Sequence, residues 1–273
     1  MPSTKFLFWN IAKKPLAEVI SSLAKEHCAD VVILVECAVP PLDVLRALNA
    51  RQSEFHIAAG LSKGIRIFMR FSREFFRPAF ESASERFMIG RLQLPARSEI
   101  LLSVVHLPSK LHRQEDDQSY ECGELAREIA VKEDQFGHRL TIVVGDFNMN
   151  PFERGLVGAG DLHAVMSREV ADRESRTVQG REYRFFYNPM WNHFGDAERK
   201  TAGSYYYADS GHVSYYWNMF DQVLIRPELA RQFDPASLKI LTSFGAQDLV
   251  RENGRPDSSR YSDHLPIVFE LAF

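Results

Sequence analysis

Val143-Val144-Gly145-Asp146-Phe147-Asn148 lies halfway along the chain, and Tyr261-Ser262-Asp263-His264-Leu265-Pro266 lies near its C-terminal end. Each places an acid beside a second polar group where an apolar run ends or begins. In a scaffold of buried strands, that is where functional side chains are displayed. The strand fixes the backbone and the adjoining loop frees the side chain. Trp9-Asn10, Val35-Glu36 and Val105-His106 repeat the pattern, with an apolar run delivering one polar residue at its end.

Working outward from these points, Lys5–Ile11 reads as a buried strand, Pro15 opens a helix with Leu16, Val19, Ile20 and Leu23 on one face, and Val31–Val35 is a second strand. Short strands are expected at Phe55–Ala59, Ile65–Arg70, Phe87–Leu94 and Ile100–Leu107. A helix is expected over about 118–136, and Leu140–Val144 is again a strand. Further on, a strand runs from near Ser214 to Ile225, Pro227–Phe233 is a short helix, and Leu238–Thr242 and Pro266–Leu271 are strands. The stretch from about 150 to 213 carries no clean period. No linker, repeat or low-complexity tract divides the chain, so residues 1–273 read as one domain. Many short strands with few helices predict an α/β fold of two packed sheets flanked by helices.

A chain of 273 residues with 45% hydrophobic and 25% charged residues can bury a large core. Its net charge of −3, with a pI near 6.3, supplies no global attraction to nucleic acid or anionic lipid, although a local groove can still be basic. Three scattered cysteines, Cys28, Cys37 and Cys122, lack metal-ligand spacing and read as reduced thiols, which predicts a cytoplasmic protein. No leader and no apolar run of membrane-spanning length is expected. Nothing in the sequence calls for an obligate protein partner.

Glu36, at a strand end, is a natural oxygen ligand for Mg²⁺ or Mn²⁺, and equally an ordinary solvated acid. Asp146 and Asn148 alternate on one face of an extended segment, with Phe147 pointing to the core; an Asx turn explains the same residues. His264 sits with Asp263 at the entrance of a strand and suits proton transfer near neutral pH. Asp221, inside the apolar run Phe220-Asp221-Gln222-Val223-Leu224-Ile225, needs a buried partner, and a histidine is the obvious one.

The ordered set Asn10, Glu36, His106, Gly145-Asp146-Phe147-Asn148, Asp221, Ser262-Asp263-His264 resembles the endonuclease/exonuclease/phosphatase superfamily. That superfamily includes pancreatic-type deoxyribonucleases, abasic-site endonucleases, inositol polyphosphate 5-phosphatases, neutral sphingomyelinases and deadenylases. The resemblance spans Asn10 to His264. It implies a four-layer α/β sandwich of two mostly antiparallel sheets flanked by helices, with the site at one mouth. It also implies Mg²⁺ or Mn²⁺ held by Glu36 with Asn10 and Asp263 nearby. Asp146 and Asn148 then position the attacking water and the phosphate, while His264, oriented by Asp221, stabilises the transition state or moves a proton. His106 is expected on a phosphate oxygen. Either Asp146 or metal-bound water is left as the base. Two positions depart from the family pattern: Ala12 stands where several nucleases carry a second acid or amide, and Cys37 follows Glu36 where small polar residues are common.

Aromatics crowd residues 183–220, interleaved with Arg184, His193, Arg199 and Lys200. Most are expected in the core, while Trp191 or one of Tyr205–Tyr207 is expected to rim the site and bind substrate. Lys110, His112 and Arg113 form a small cationic lip, followed at once by Glu115-Asp116-Asp117, which reads as a solvated charged loop. The leading expectation is a metal-dependent nuclease on DNA or RNA, because nothing in the chain targets lipid. The alternatives are a phosphatase or phosphodiesterase on a small or lipid phosphate, which the acidic pI favours, and a non-catalytic binding module.

Overall fold

β1 (Ser3–Asn10) points Phe6 and Phe8 to one face and Leu7 and Trp9 to the other, and all four are buried. This alternation separates two apolar layers, as period-two side-chain placement requires. The computed structural model describes residues 3–50, 54–58, 64–94, 97–110, 115–196, 201–208 and 210–272. The predicted cations His112, Arg113, Arg199 and Lys200, and Ala59 at the end of one predicted strand, lie outside the described residues.

One sheet contains β1, β2 (Val31–Val35), β3 (His56–Ile57), β4 (Ile65–Met69), β16 (Lys239–Ile240) and β19 (Ile267–Ala272), in the order β16-β19-β1-β2-β4-β3. The other contains β5 (Phe76–Glu81), β6 (Phe87–Leu92), β7 (Ile100–His106), β8 (Thr141–Asp146), β9 (Ala164–Val165), β12 (Phe186–Tyr187) and β15 (Asp221–Ile225), in the order β5-β6-β7-β8-β15-β12-β9. Two-stranded ribbons are formed by β10 (Ser175–Val178) with β11 (Arg181–Arg184), β13 (Tyr205–Tyr206) with β14 (Trp217–Asn218), and β17 (Ser243–Phe244) with β18 (Gln247–Asp248).

Most neighbouring strands run antiparallel, as expected, while β1–β2, β7–β8 and β9–β12 are parallel. A parallel pair needs a crossover, which α1 (Ala17–Glu26) supplies between β1 and β2, and α3 (Glu115–Phe136) between β7 and β8. Phe6, Phe8, Val31 and Ile33 meet Leu102, Val104, Ile142 and Val144 between the sheets. Leu7, Trp9, Val32 and Leu34 pack outward on Ile20 and Leu23 of α1, and Leu101, Val105 and Val143 pack outward on Leu125 and Ile129 of α3. The result is the expected helix–sheet–sheet–helix layering.

Three local expectations change. The strand expected over Phe55–Ala59 shrinks to the short β3 edge. α2 (Pro41–Leu48), with Pro41 in its first turn, was not foreseen. The single strand expected from Ser214 to Ile225 breaks into β14 and β15. Tyr216 takes a left-handed φ of 58°, and the Met219 amide donates to Asn150 Oδ1 at 2.9 Å rather than to a neighbouring strand. Among the described residues, no helix is long and apolar enough to cross a membrane.

Candidate active site

Strand register places His106, Asp146 and Asp221 side by side. His106 on β7 is opposite Asp146 on β8, and Asp146 is opposite Asp221 on β15. Gly145 makes that approach possible: a Cβ there would stand 2.0 Å from the Val105 carbonyl oxygen. From the other sheet, Asn10 ends β1 and Glu36 follows β2 in a left-handed turn with φ 48°. The two sheets therefore present their polar strand ends at one mouth.

Asn10 joins the two halves. Its Nδ2 donates to Asp146 Oδ2 at 2.9 Å and to Glu36 Oε1 at 3.3 Å, while its Oδ1 accepts from the Ala12 amide at 3.0 Å. His106 Nε2 lies 3.3 Å from the same Glu36 oxygen. The hydrogen bond from His106 outweighs burial and draws the Glu36 carboxyl down to about 2. Glu36 thus stands as a carboxylate at neutral pH with about 30% of its side chain exposed.

Asp146 and Asn148 converge by a route other than the predicted strand alternation. Asn148 is left-handed, with φ 51°, and its amide donates to Asp146 Oδ1 at 2.8 Å, which is an Asx turn. The turn swings Asn148 Nδ2 to 3.2 Å from Asp146 Oδ2 and to 2.9 Å from the Leu107 carbonyl. The site arrangement and the turn are therefore one feature. Burial pushes the Asp146 carboxyl up, opposed by the positive charge of His264.

His264 Nδ1 lies 2.8 Å from Asp221 Oδ2, and its Nε2 lies 3.9 Å from Asp146 Oδ2. Burial alone lowers an imidazole pKa; here the charges of Asp221 and Asp146 overcome it and hold His264 up at about 10. The backbone around the ring is tied down as well. The Trp9 indole donates to the His264 carbonyl at 2.9 Å, and Ser262 Oγ accepts from the His264 amide and donates to the Asn10 carbonyl. Tyr205 covers the ring, with centroids 4.6 Å apart.

Among the described residues, Asp146, Asp221 and His264 offer possible ligand atoms all within 4.8 Å of one another. A protonated imidazole bonded to Asp221 is a poor ligand, so a hard divalent cation fits the Glu36 side better. There an ionised, partly open carboxylate stands beside Asn10. Asp263, next to His264 in the chain, has a buried Oδ1 without a hydrogen-bond partner, as Asp221 has.

The structure does not bring Trp191 into this cluster. It sits in a 3-10 turn (Pro189–His193) and packs against Phe152, with centroids 6.3 Å apart. Sequence reasoning missed the supporting amides. Gln118 on α3 donates to the Asn148 and Pro108 carbonyls, Asn150 donates to Asn218, and Gln222 donates to the Met149 carbonyl. Gln222 is buried inside a strand, as Asp221 is, and that was the available signal for it.

No protein-family model matches the chain, and no curated protein sequence does. Solved structures do match along its whole length. A truncated TDP2 from Caenorhabditis elegans is 16% identical, with 99% of this chain and 98% of that one covered, at a TM-score of 0.61. The D. rerio TDP2 complexed with single strand DNA product is 15% identical, with both chains fully covered, at 0.56. An endonuclease/exonuclease/phosphatase family protein from Leptotrichia buccalis is 14% identical, with 99% and 100% covered, at 0.59. The chain has the fold of the endonuclease/exonuclease/phosphatase superfamily.

Proposed function

We propose that the protein is a divalent-metal-dependent phosphodiester hydrolase acting on nucleic acid, with residues 1–273 forming one catalytic domain. The observation that carries this reading is the convergence of Asn10, Glu36, His106, Asp146, Asn148, Asp221 and His264 from both sheets into one hydrogen-bonded cluster.

Phosphodiester hydrolysis needs an oriented water, a proton acceptor, and positive charge on the phosphoryl oxygens. Asp146 is placed to accept the proton, because its raised pKa improves it as a base and the amides of Asn10 and Asn148 fix its orientation. His264, held protonated by Asp221, presents Nε2 on the Asp146 side, where it neutralises charge developing on a phosphoryl oxygen. His106 holds Glu36 and adds a donor at the mouth. Mg²⁺ or Mn²⁺ on Glu36, with Asn10 and Asp263 nearby, would polarise the phosphate and lower the pKa of bound water.

Nucleic acid as substrate is supported by the same fold in a TDP2 complexed with single strand DNA product. A cytoplasmic setting is supported by three cysteines that all remain free. The test is hydrolysis of bis(p-nitrophenyl) phosphate and of DNA and RNA oligonucleotides with Mg²⁺, with Glu36→Gln as control. Turnover that survives excess chelator, or that is confined to inositol phosphates or sphingomyelin, overturns the reading.

A further inference from the structure

Among the aromatics of residues 183–220, Phe185, Phe186, Tyr187 and Phe220 are core. Three tyrosines at the free end of the β13–β14 ribbon are not: Tyr207, Tyr215 and Tyr216 are 43%, 52% and 51% exposed. Large rings are rarely left in water together without a partner.

The ribbon is rooted in the candidate site. Tyr205 bridges the His264 backbone, stacks on Phe220 with centroids 5.1 Å apart, and covers the His264 ring. Tyr207 lies two residues further out, so strand alternation puts it on the same face, about 7 Å beyond Tyr205. The Tyr207 amide donates to the Tyr216 carbonyl at 2.8 Å, which sets Tyr216 opposite it. Tyr215 meets Phe152 edge-on at 5.3 Å. Tyr206, between Tyr205 and Tyr207, faces the other side of the ribbon, where its ring lies 6.4 Å from that of Tyr216 and 5.3 Å from that of Trp217.

One cation stands on that other side. The Arg255 guanidinium lies 4.0 Å over the Tyr206 ring and makes no ion pair with a carboxylate among the described residues. Lys110 lies 5.6 Å over Phe220 but is neutralised by its ion pair with Glu153. Aromatic faces beside an unpaired cation are what an unpaired polynucleotide binds, since each base offers a π-face and each phosphate a charge. Duplex bases are already stacked and offer no free face.

Building on the proposed hydrolase, we infer that the free end of this ribbon, through Tyr207, Tyr215 and Tyr216 and with Arg255 on its Tyr206 side, stacks the unpaired bases of a single-stranded polynucleotide whose phosphate lies at the Glu36–Asp146–His264 cluster. The ribbon makes the enzyme select single strands over duplex and over small esters. Local stacking supplies the affinity that a net charge of −3 does not.

The test separates binding from chemistry. Binding of a labelled oligothymidylate of about a dozen nucleotides, a length within reach of such sites, is measured by anisotropy in chelator, so no turnover is needed. The comparison is between the unmodified protein and Tyr207→Ala combined with Tyr216→Asn. Both positions are exposed, and Asn tolerates the left-handed backbone at 216. The double change is expected to weaken oligothymidylate binding about tenfold or more, to leave little preference for single strand over duplex, and to lower the ratio of oligonucleotide to bis(p-nitrophenyl) phosphate hydrolysis. Tyr215→Ala with Arg255→Gln is expected to do the same and guards against a local folding fault in the first variant. Unchanged binding in both variants, or duplex bound as tightly as single strand, overturns the inference. Self-association that the substitutions abolish, with oligonucleotide binding intact, overturns it in favour of an interface between copies. Failure of the unmodified protein to hydrolyse any phosphodiester removes the catalytic reading alone, because the binding result stands by itself.

Discussion

Asp221 Oδ2 and His264 Nδ1 lie 2.8 Å apart although 43 residues separate them, and both side chains are buried. The carboxylate bonds the ring and favours its charge, so the two are expected to act as one group. Asp221→Asn is expected to lose most of what His264→Ala loses, about 10²–10⁴-fold in kcat. The double variant should be little worse than the weaker single. Kinetics of the three variants on one oligonucleotide decide this; losses that add in ΔΔG‡ would make Asp221 a structural acid.

The same pair sets a pH dependence. The folded pKa of His264 is raised to about 10 from an ordinary 6.5. Its contribution to stability is therefore fully present below about 6.5 and fades as pH rises through about 10. In chelator, the denaturation midpoint of the unmodified protein should fall across that window more steeply than that of Asp221→Asn. Imidazole NMR should show His264 still charged at pH 8 and discharged by the substitution. An uncharged ring at pH 8 in the unmodified protein refutes the assignment.

Glu36 is partly exposed and supports no core packing, so Glu36→Gln should fold normally. It should reduce divalent-ion affinity measured by calorimetry, and kcat should fall by about 10²-fold or more. Retention of both ion affinity and turnover would move the metal to other residues.

Gly145→Ala tests the packing that sets the site. The added methyl would meet the Val105 carbonyl at 2.0 Å, and that backbone belongs to the neighbouring strand and cannot swing away. A loss of about 3 kcal/mol or more is expected from such overpacking. Chemical denaturation measures it, and a loss below about 1 kcal/mol would show that the β7–β8 contact is soft.

Local chemistry made much of this legible in advance. Apolar runs ending in Asn10, Glu36, His106 and Asp146 read correctly as buried strands with polar ends, because strands covered on both faces are written as continuous apolar runs. The 150–213 stretch was not legible. Its order comes from bonds between side chains and distant backbone, such as Arg226 to Phe185 and Asn150 to Met219, rather than from any period.

The sequence by itself determined which side chains are available and where each stands on its strand, since both follow from local burial and turn chemistry. Only the tertiary structure decided which of them meet. Asp221 reaches His264, Asn10 reaches Asp146, and Trp191 stays outside the cluster, because sheet register and crossover bring together residues far apart in the chain. The ribbon shows the same division. Its tyrosines are plain in the sequence, but a half-buried ring packed on His264 and rings left facing water differ only in where the fold carries them.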